Sequence, residues 1–342
     1  MRYVLLTALL LGFIGVGSSS AWAESTVPSP RTITVSLDGS GDFSSIQEAV
    51  DSARKGDTVL IKAGSYAQDL TIHSKEKIKI VGAGVDKVSL LGRSEMVGAL
   101  HVGKWPYGAT DIEISGLTIK DHGGHALGIF NGNRITLHQV HVKGMIFGQQ
   151  VEDVRIEDCV IGGSETTGVH FSDSQVLLIG NLIHDNDHGV NVTGKSSVRL
   201  ERNIITRNLF EAVVISDQAK AVLINNTLVK NGGGAAFLGL STIEASGNIL
   251  SLNKVGFLIA ASSQTKMSYN ALFNNEVSYM RAGSPNIHAP ELQDESDMIA
   301  DPRFVDAEHD DFRLKPDTTL LNRGTFRYLG ALPPSFSPAQ NP

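Results

Sequence analysis

The chain holds one cysteine, two tryptophans and no long hydrophobic run beyond its first residues. A single thiol cannot close an internal disulfide, so no covalent framework staples this fold. Cys159 sits inside an alternating apolar segment, which marks it as a small buried hydrophobe and not a nucleophile. Aromatic residues make up only 6% of the chain, so rings on which a sugar could stack look sparse in its centre. Positive charge is also short: the formal net charge is -7 and no polybasic cluster occurs. Nucleic acid and anionic membrane surfaces are therefore excluded as expected partners.

The one apolar run, Tyr3 to Val16, follows Arg2 and precedes Ala21-Trp22-Ala23. It is shorter than the ~20 residues of a spanning helix, and small residues occupy the two positions a signal peptidase reads. Residues 1–23 are expected to be a signal peptide. The mature chain is expected to be secreted or periplasmic, without a membrane span, and monomeric.

What the sequence has in abundance is a repeat. Val154-Arg155-Ile156-Glu157-Asp158-Cys159-Val160-Ile161 is followed after 22 residues by Val176-Leu177-Leu178-Ile179-Gly180-Asn181-Leu182-Ile183, and after 22 more by Val198-Arg199-Leu200-Glu201-Arg202-Asn203-Ile204-Ile205. Each copy reads as two short alternating strands with a bend between them. A third strand follows, as in Val169-His170-Phe171 and Val190-Asn191-Val192. Alternation places Val, Ile and Leu on one side, which a lone coil cannot bury but stacked coils can. The expected fold is all-β: a right-handed parallel β-helix of about ten coils over residues 24–332, with residues 333–342 a disordered tail. A period near 22 is too short for propeller blades, and the linkers are too rich in Gly, Asn and Asp for the helices of leucine-rich repeats.

Asn181, Asn203 and Asn248 share one bend position and predict a structural amide ladder. Ser44 or Ser45 can cap a helix that carries Ile46, Ala49, Val50 and Ala53 on one face, Ser45 with Glu48 having capping-box spacing, so a short helix stopped by Gly56 is expected to lid the first coil. A second-strand column of Val160, Leu182, Ile204, Leu228 and Ile249 should point outward although apolar, with His141 in the same column; either the C-terminal segment, residues 300–330, or a partner chain must cover it, and the C-terminal segment is the expected cover.

The segments Asp38-Gly39-Ser40-Gly41-Asp42-Phe43, Ile46-Gln47-Glu48-Ala49-Val50 and Lys62-Ala63-Gly64-Ser65-Tyr66 resemble the opening of the pectin-lyase-like β-helix superfamily, most of all pectin methylesterases. Asp301-Pro302-Arg303-Phe304-Val305 and Asp311-Phe312-Arg313-Leu314-Lys315-Pro316 resemble a C-terminal segment of bacterial secreted β-helix proteins. The resemblance implies the fold and a polysaccharide partner bound along the coils. The paired aspartates and the Gly-Arg-Pro-Trp motif of the methylesterases are missing, as are recognisable calcium-aspartate and base-lysine motifs of pectate lyases.

Equivalent positions in successive coils form columns, so offsets name neighbours. One outward column after the second strand reads Lys120, Lys143, Gly162, His184, Thr206, Lys230. Before the third strand stand His125, Thr167, His188 and Glu211, and on it His170 and Asn191. The loops add Asp121, His122, Glu165, Asp185, Asp187 and Arg207. His184-Asp185-Asn186-Asp187-His188 is the densest ionisable run. The expected catalytic set is His184, Asp185, Asp187, His188 and His170. The expected substrate contacts are Lys143, Arg207, Lys120, Asn191 and Glu211. Elimination or C5 epimerisation on a uronate needs a base and a cation for the carboxylate. Glycoside hydrolysis needs two carboxylates, for which Asp185, Asp187 and Glu165 are available. A non-catalytic carbohydrate-binding or periplasmic scaffold is the alternative. No zinc-type spacing occurs and no metal ligand is assigned; calcium is the one ion the uronate chemistries could use.

Overall fold

The computed structural model describes residues 29–93, 98–284 and 288–333. The expected signal peptide and residues 334–342 lie outside them. The chain winds as a right-handed parallel β-solenoid of about eleven turns, one more than the repeat count gave. Eleven strands stack in a first sheet, from Thr32–Val35 to Gln264–Ser268. Second-sheet strands such as Val160–Gly162 and third-sheet strands such as Thr167–Ser172 stack beside their equivalents, parallel throughout the solenoid. In two coils the second and third strands merge into one long strand, Thr118–Phe130 and His141–Gln149.

The alternation of the sequence becomes an inside and an outside. Val154, Ile156, Ile161, Val169 and Phe171 of one coil are buried, and so are Val176, Leu178, Ile183, Val190 and Val192 of the next. Burying each such side chain contributes roughly 1.5–3 kcal/mol, which offsets the ordering of short strands that could not stand alone. Bends fall at Asp158, Gly180, Arg202, Asn225 and Gly247, all with φ between 51° and 69°. That left-handed conformation explains the Gly, Asn and Asp at these corners.

Two amide ladders hold the bends. In the first, Asn181 donates to Asn203, Asn203 to Asn226, Asn226 to Asn248 and Asn248 to Asn270, at 2.9–3.0 Å. Asn270 donates to Asp297 at 3.0 Å. The second, hidden in the sequence, runs Asn186, Asn208, Asn231, Asn253, Asn275 at 2.9–3.2 Å. Cys159 precedes the first ladder: its N–H donates to Asn181 at 2.9 Å and burial pushes its thiol up to about 12. The buried-hydrophobe reading of Cys159 therefore holds.

Helix α1 spans Ile46–Ser52, with Ser45 accepting from the Glu48 N–H and Ile46, Ala49 and Val50 buried. It stops before Gly56 because Ala53 turns extended and the Asp57 carboxylate takes the Arg54 N–H at 2.9 Å. Gln47 stands in for a missing strand: its amide accepts from the Thr71 N–H at 2.8 Å and donates to the Thr71 carbonyl at 3.1 Å.

At the other end, Phe304, Phe312, Leu314, Leu320 and Leu329 form a second apolar cluster with Val229, Ile249 and Ala271, against which Ile204 and Met298 pack. The C-terminal segment thus covers the apolar column, as expected, from Ile204 onward. The column itself needs one correction. Ile204 pairs with Thr227, not Leu228, which lies inside with Ile205. One residue inserted at Leu209–Phe210 lengthens that step to 23, so Thr206 likewise pairs with Val229 and Lys230 leaves its assigned column.

Candidate functional site

The densest ionisable run does not act as one unit. Its central residue, Asn186, is buried as the first member of the second ladder. That divides the run between two sheet faces. His184 and Asp185 look out from the second sheet. His188 lies on the third sheet, against Glu211 at 3.2 Å and stacked on Phe210 at 5.1 Å between centroids. Asp187 is half-buried between the two, its carbonyl accepting from the Phe210 N–H at 2.8 Å. His170 and Asn191 are paired neighbours in the outward third-sheet column. Burial holds the His170 imidazolium below its usual range, and its ring packs on Phe147 at 5.4 Å.

The three expected substrate cations are spoken for or free according to the coil they occupy. Arg207 donates from Nε and Nη2 to the two Asp185 oxygens at 2.9 and 2.8 Å, and also pairs with Asp310 of the C-terminal segment. Lys230 pairs with the same Asp310 at 3.1 Å. Arg207 is therefore already paired with two carboxylates of the protein itself. Lys120 and Lys143 are exposed, directly aligned in neighbouring strands, and without a salt bridge among the described residues. Like charges so placed repel, and an anion between them relieves that cost.

These lysines line a groove of about 410 Å³ with His141, Val142, Val160, Gly162, Gly163, His184 and Asp185. Val160 and Leu182 stay half-buried here because the C-terminal cover begins further along the stripe. Gly162 leaves room for the His184 ring, since a Cβ there would lie 3.0 Å from its Cε1. His184 Nδ1 is 2.6 Å from Asp185 Oδ2. The hydrogen bonds from Arg207, with that from His184, hold the Asp185 carboxyl down at about 2. An ionised carboxylate only accepts, so in the neutral ring Nδ1 carries the proton and Nε2 is the lone-pair nitrogen. The contact of Arg207 Nη2 with Nδ1 at 3.3 Å is then proximity and not a hydrogen bond. Among the described residues the groove combines an oriented imidazole with two ammonium groups that form no salt bridge. Its one described carboxylate is taken up by Arg207 and His184, so the described donor set does not fit calcium. Among the described residues no three His, Cys, Asp or Glu side chains gather into a metal-holding group.

A second surface escaped the sequence reading. His101, His125, Phe130, Phe147 and His170 form a continuous run of rings over the third sheet, with centroids 5.4–6.1 Å apart. Gly128 makes this possible, because a Cβ there would meet the Phe130 ring at 2.5 Å and the His101 ring at 2.6 Å. Beside the rings, Trp105 and Tyr107 are 77% and 59% exposed. The side chains of Asp121 and His122 lie outside the described residues. On the first sheet another groove is lined by Lys79, Glu113, Arg134 and Asp111, but these pair with each other at 2.7 and 2.5 Å and leave little unmet charge.

The family described as "Right handed beta helix region" matches residues 106–277. The chain belongs to that family. No curated protein sequence matches it. Among solved structures it is similar to the A-module of a mannuronan C-5 epimerase from Azotobacter vinelandii, at 15% identity and TM-score 0.58, over 69% of this chain and 73% of that one. It is similar also to pectate lyase Pel9A, at 13% identity and TM-score 0.55, over 91% of this chain and 98% of that one. At such identities the likeness is one of fold.

Proposed function

We propose that this is an exported protein acting on uronic-acid polysaccharides by abstraction of the C5 proton, as a lyase or C5-epimerase. The observation that carries the reading is the register of Lys120 and Lys143 beside His184, whose ring lines the same groove. His184 Nε2 takes the C5 proton. Lys143 and Lys120 hold the C6 carboxylate and neutralise the charge that develops on it. Departure of the C4 oxygen, which takes up a proton from water, then gives an unsaturated end, whereas a proton delivered by water to the other face of C5 gives the epimer. The similar folds of a mannuronan epimerase and a pectate lyase support a uronate substrate. Hydrolysis is less well served, since Asp185 is held ionised and cannot be the general acid.

Non-catalytic carbohydrate binding is the second reading. It is favoured by the split of His184, His188 and His170 between two sheet faces. We also take α1, lying against the first coils, to be the N-terminal lid.

Incubation of the protein with polymannuronate and polygalacturonate in heavy water separates the readings. Epimerisation places deuterium at C5, whereas elimination leaves C5 without hydrogen and is read by the ultraviolet absorbance of the new unsaturated end. His184→Ala should abolish whichever of the two the parent shows, and Lys143→Ala should raise KM more than it lowers kcat. Binding with neither deuterium uptake nor unsaturated ends, unaffected by His184→Ala, establishes the non-catalytic reading instead.

A further inference from the structure

The turn carrying Trp105 and Tyr107 is held firmly, although both side chains are exposed. The Lys104 N–H donates to the Tyr107 carbonyl at 2.7 Å, and the Asn131 amide donates to the Pro106 carbonyl at 2.9 Å. A large indole held in water by two backbone anchors is unfavourable unless something covers it. The groove below it measures about 420 Å³ and is lined by Thr71, His73, His101, Lys104, Trp105 and Phe130. That volume lies within the range of small-ligand sites, and its lining has their usual make-up of apolar walls with a few polar groups. It shares no lining residue with the lysine groove: Lys120 and Phe130 stand at opposite ends of the strand Thr118–Phe130.

We propose that this groove is a separate subsite for an acidic sugar residue, whose ring face lies on Trp105 while its carboxylate meets Lys104. The occupant follows from the lining. The indole and Phe130 offer flat apolar faces to the C–H side of a pyranose, and Lys104 forms no salt bridge among the described residues. This deepens the polysaccharide reading and rests on it. It needs no chemistry at His184. It assigns the groove to holding the chain while another segment is handled at the lysines.

The sequence supplies a direct probe. Its two tryptophans are Trp22 and Trp105, so in a Trp22→Phe background the indole fluorescence comes from the groove alone. Titration with oligomannuronate and oligogalacturonate should quench or shift that emission. Trp105→Ala and Tyr107→Ala, with melting temperatures unchanged, should weaken binding measured calorimetrically by about tenfold for loss of the indole, the equivalent of one stacked ring. Lys104→Gln should weaken uronates and leave neutral glucans unaffected. Unchanged emission at saturating uronate, or equal affinity in Trp105→Ala, overturns the subsite. If that happens while His184→Ala still abolishes C5 deuterium uptake or unsaturated-end formation, the proposed function stands without it. Fluorescence changes with neutral glucans alone overturn the acidic class of ligand. A mass that falls from dimer to monomer on Trp105→Ala overturns the subsite in favour of self-association.

Discussion

Arg207 grips Asp185 across one coil step, with two parallel hydrogen bonds of 2.9 and 2.8 Å to its carboxylate. Both residues sit at left-handed bends, with φ of 54° each, so their backbones fix the clamp as much as their charges do. The clamp leaves the neighbouring His184 one tautomer. Arg207→Met should raise the Asp185 pKa from about 2 toward the ordinary 3.8, as followed by carboxylate NMR. Asp185 is depressed in the folded state, so its contribution to stability is present above 3.8 and is lost as pH falls toward 2. The variant should lose that part of the acid dependence.

His170 has the same sign for a different reason. Burial keeps it neutral, so the unfolded chain protonates first as pH falls below 6.5. Stability should be fully expressed above 6.5 and decline below it. In His170→Gln, denaturant midpoints should fall less between neutral and mildly acidic pH than in the parent.

The first ladder should be costly to interrupt. Asn226→Ala removes the acceptor for the Asn203 side-chain amide and N–H, and the donor for the Leu200 carbonyl. Orphaned buried groups cost about 1–3 kcal/mol each, so urea unfolding should show a loss of several kcal/mol. Exposed Lys195→Ala should cost less than about 0.5 kcal/mol.

The C-terminal cover makes its own prediction. Phe312 is buried against Phe304, 5.4 Å away, over the outward column. Phe312→Ala should cost roughly 3–5 kcal/mol. If the segment detaches, Ile204 and Ile249 open to solvent, and light scattering should detect self-association.

The coils, the first ladder and the C-terminal cover were legible because each repeats an offset of 22 or fills an obvious apolar gap. Asn203 and Asn248 announced their ladder. The second ladder stayed hidden because Asn186 lies between two aspartates that look like chemistry. Lys230 and Leu228 were misplaced because Leu209 and Phe210 add a residue that no local pattern reveals. The ring run was invisible for another reason. His101, Phe130, Phe147 and His170 are 17 to 29 residues apart in successive pairs and touch only after the coils stack. Gly128, whose missing side chain admits them, gives no aromatic signal at all.

Asp297→Asn bears on how that ladder ends. Burial raises the Asp297 pKa, so the parent should lose stability as pH rises from 3.8 through that raised value. Asn keeps the acceptor oxygen without the charge, and its denaturation midpoint should be flat over that interval.

The first ladder also has a polarity. Every ladder oxygen accepts from the coil before it, and one N–H of each side-chain amide donates to the coil after it while the other reaches back to a backbone carbonyl, so the amide carbonyl dipoles add head to tail with the positive pole toward the C-terminus. Each added coil satisfies its predecessor and passes an unmet donor forward. Asp297 ends the relay because a carboxylate accepts from Asn270 at 3.0 Å and from the Tyr279 hydroxyl at 2.7 Å and has nothing left to hand on. The solenoid therefore has a chemical full stop, and lengthening it would mean moving that acid outward to the new last coil.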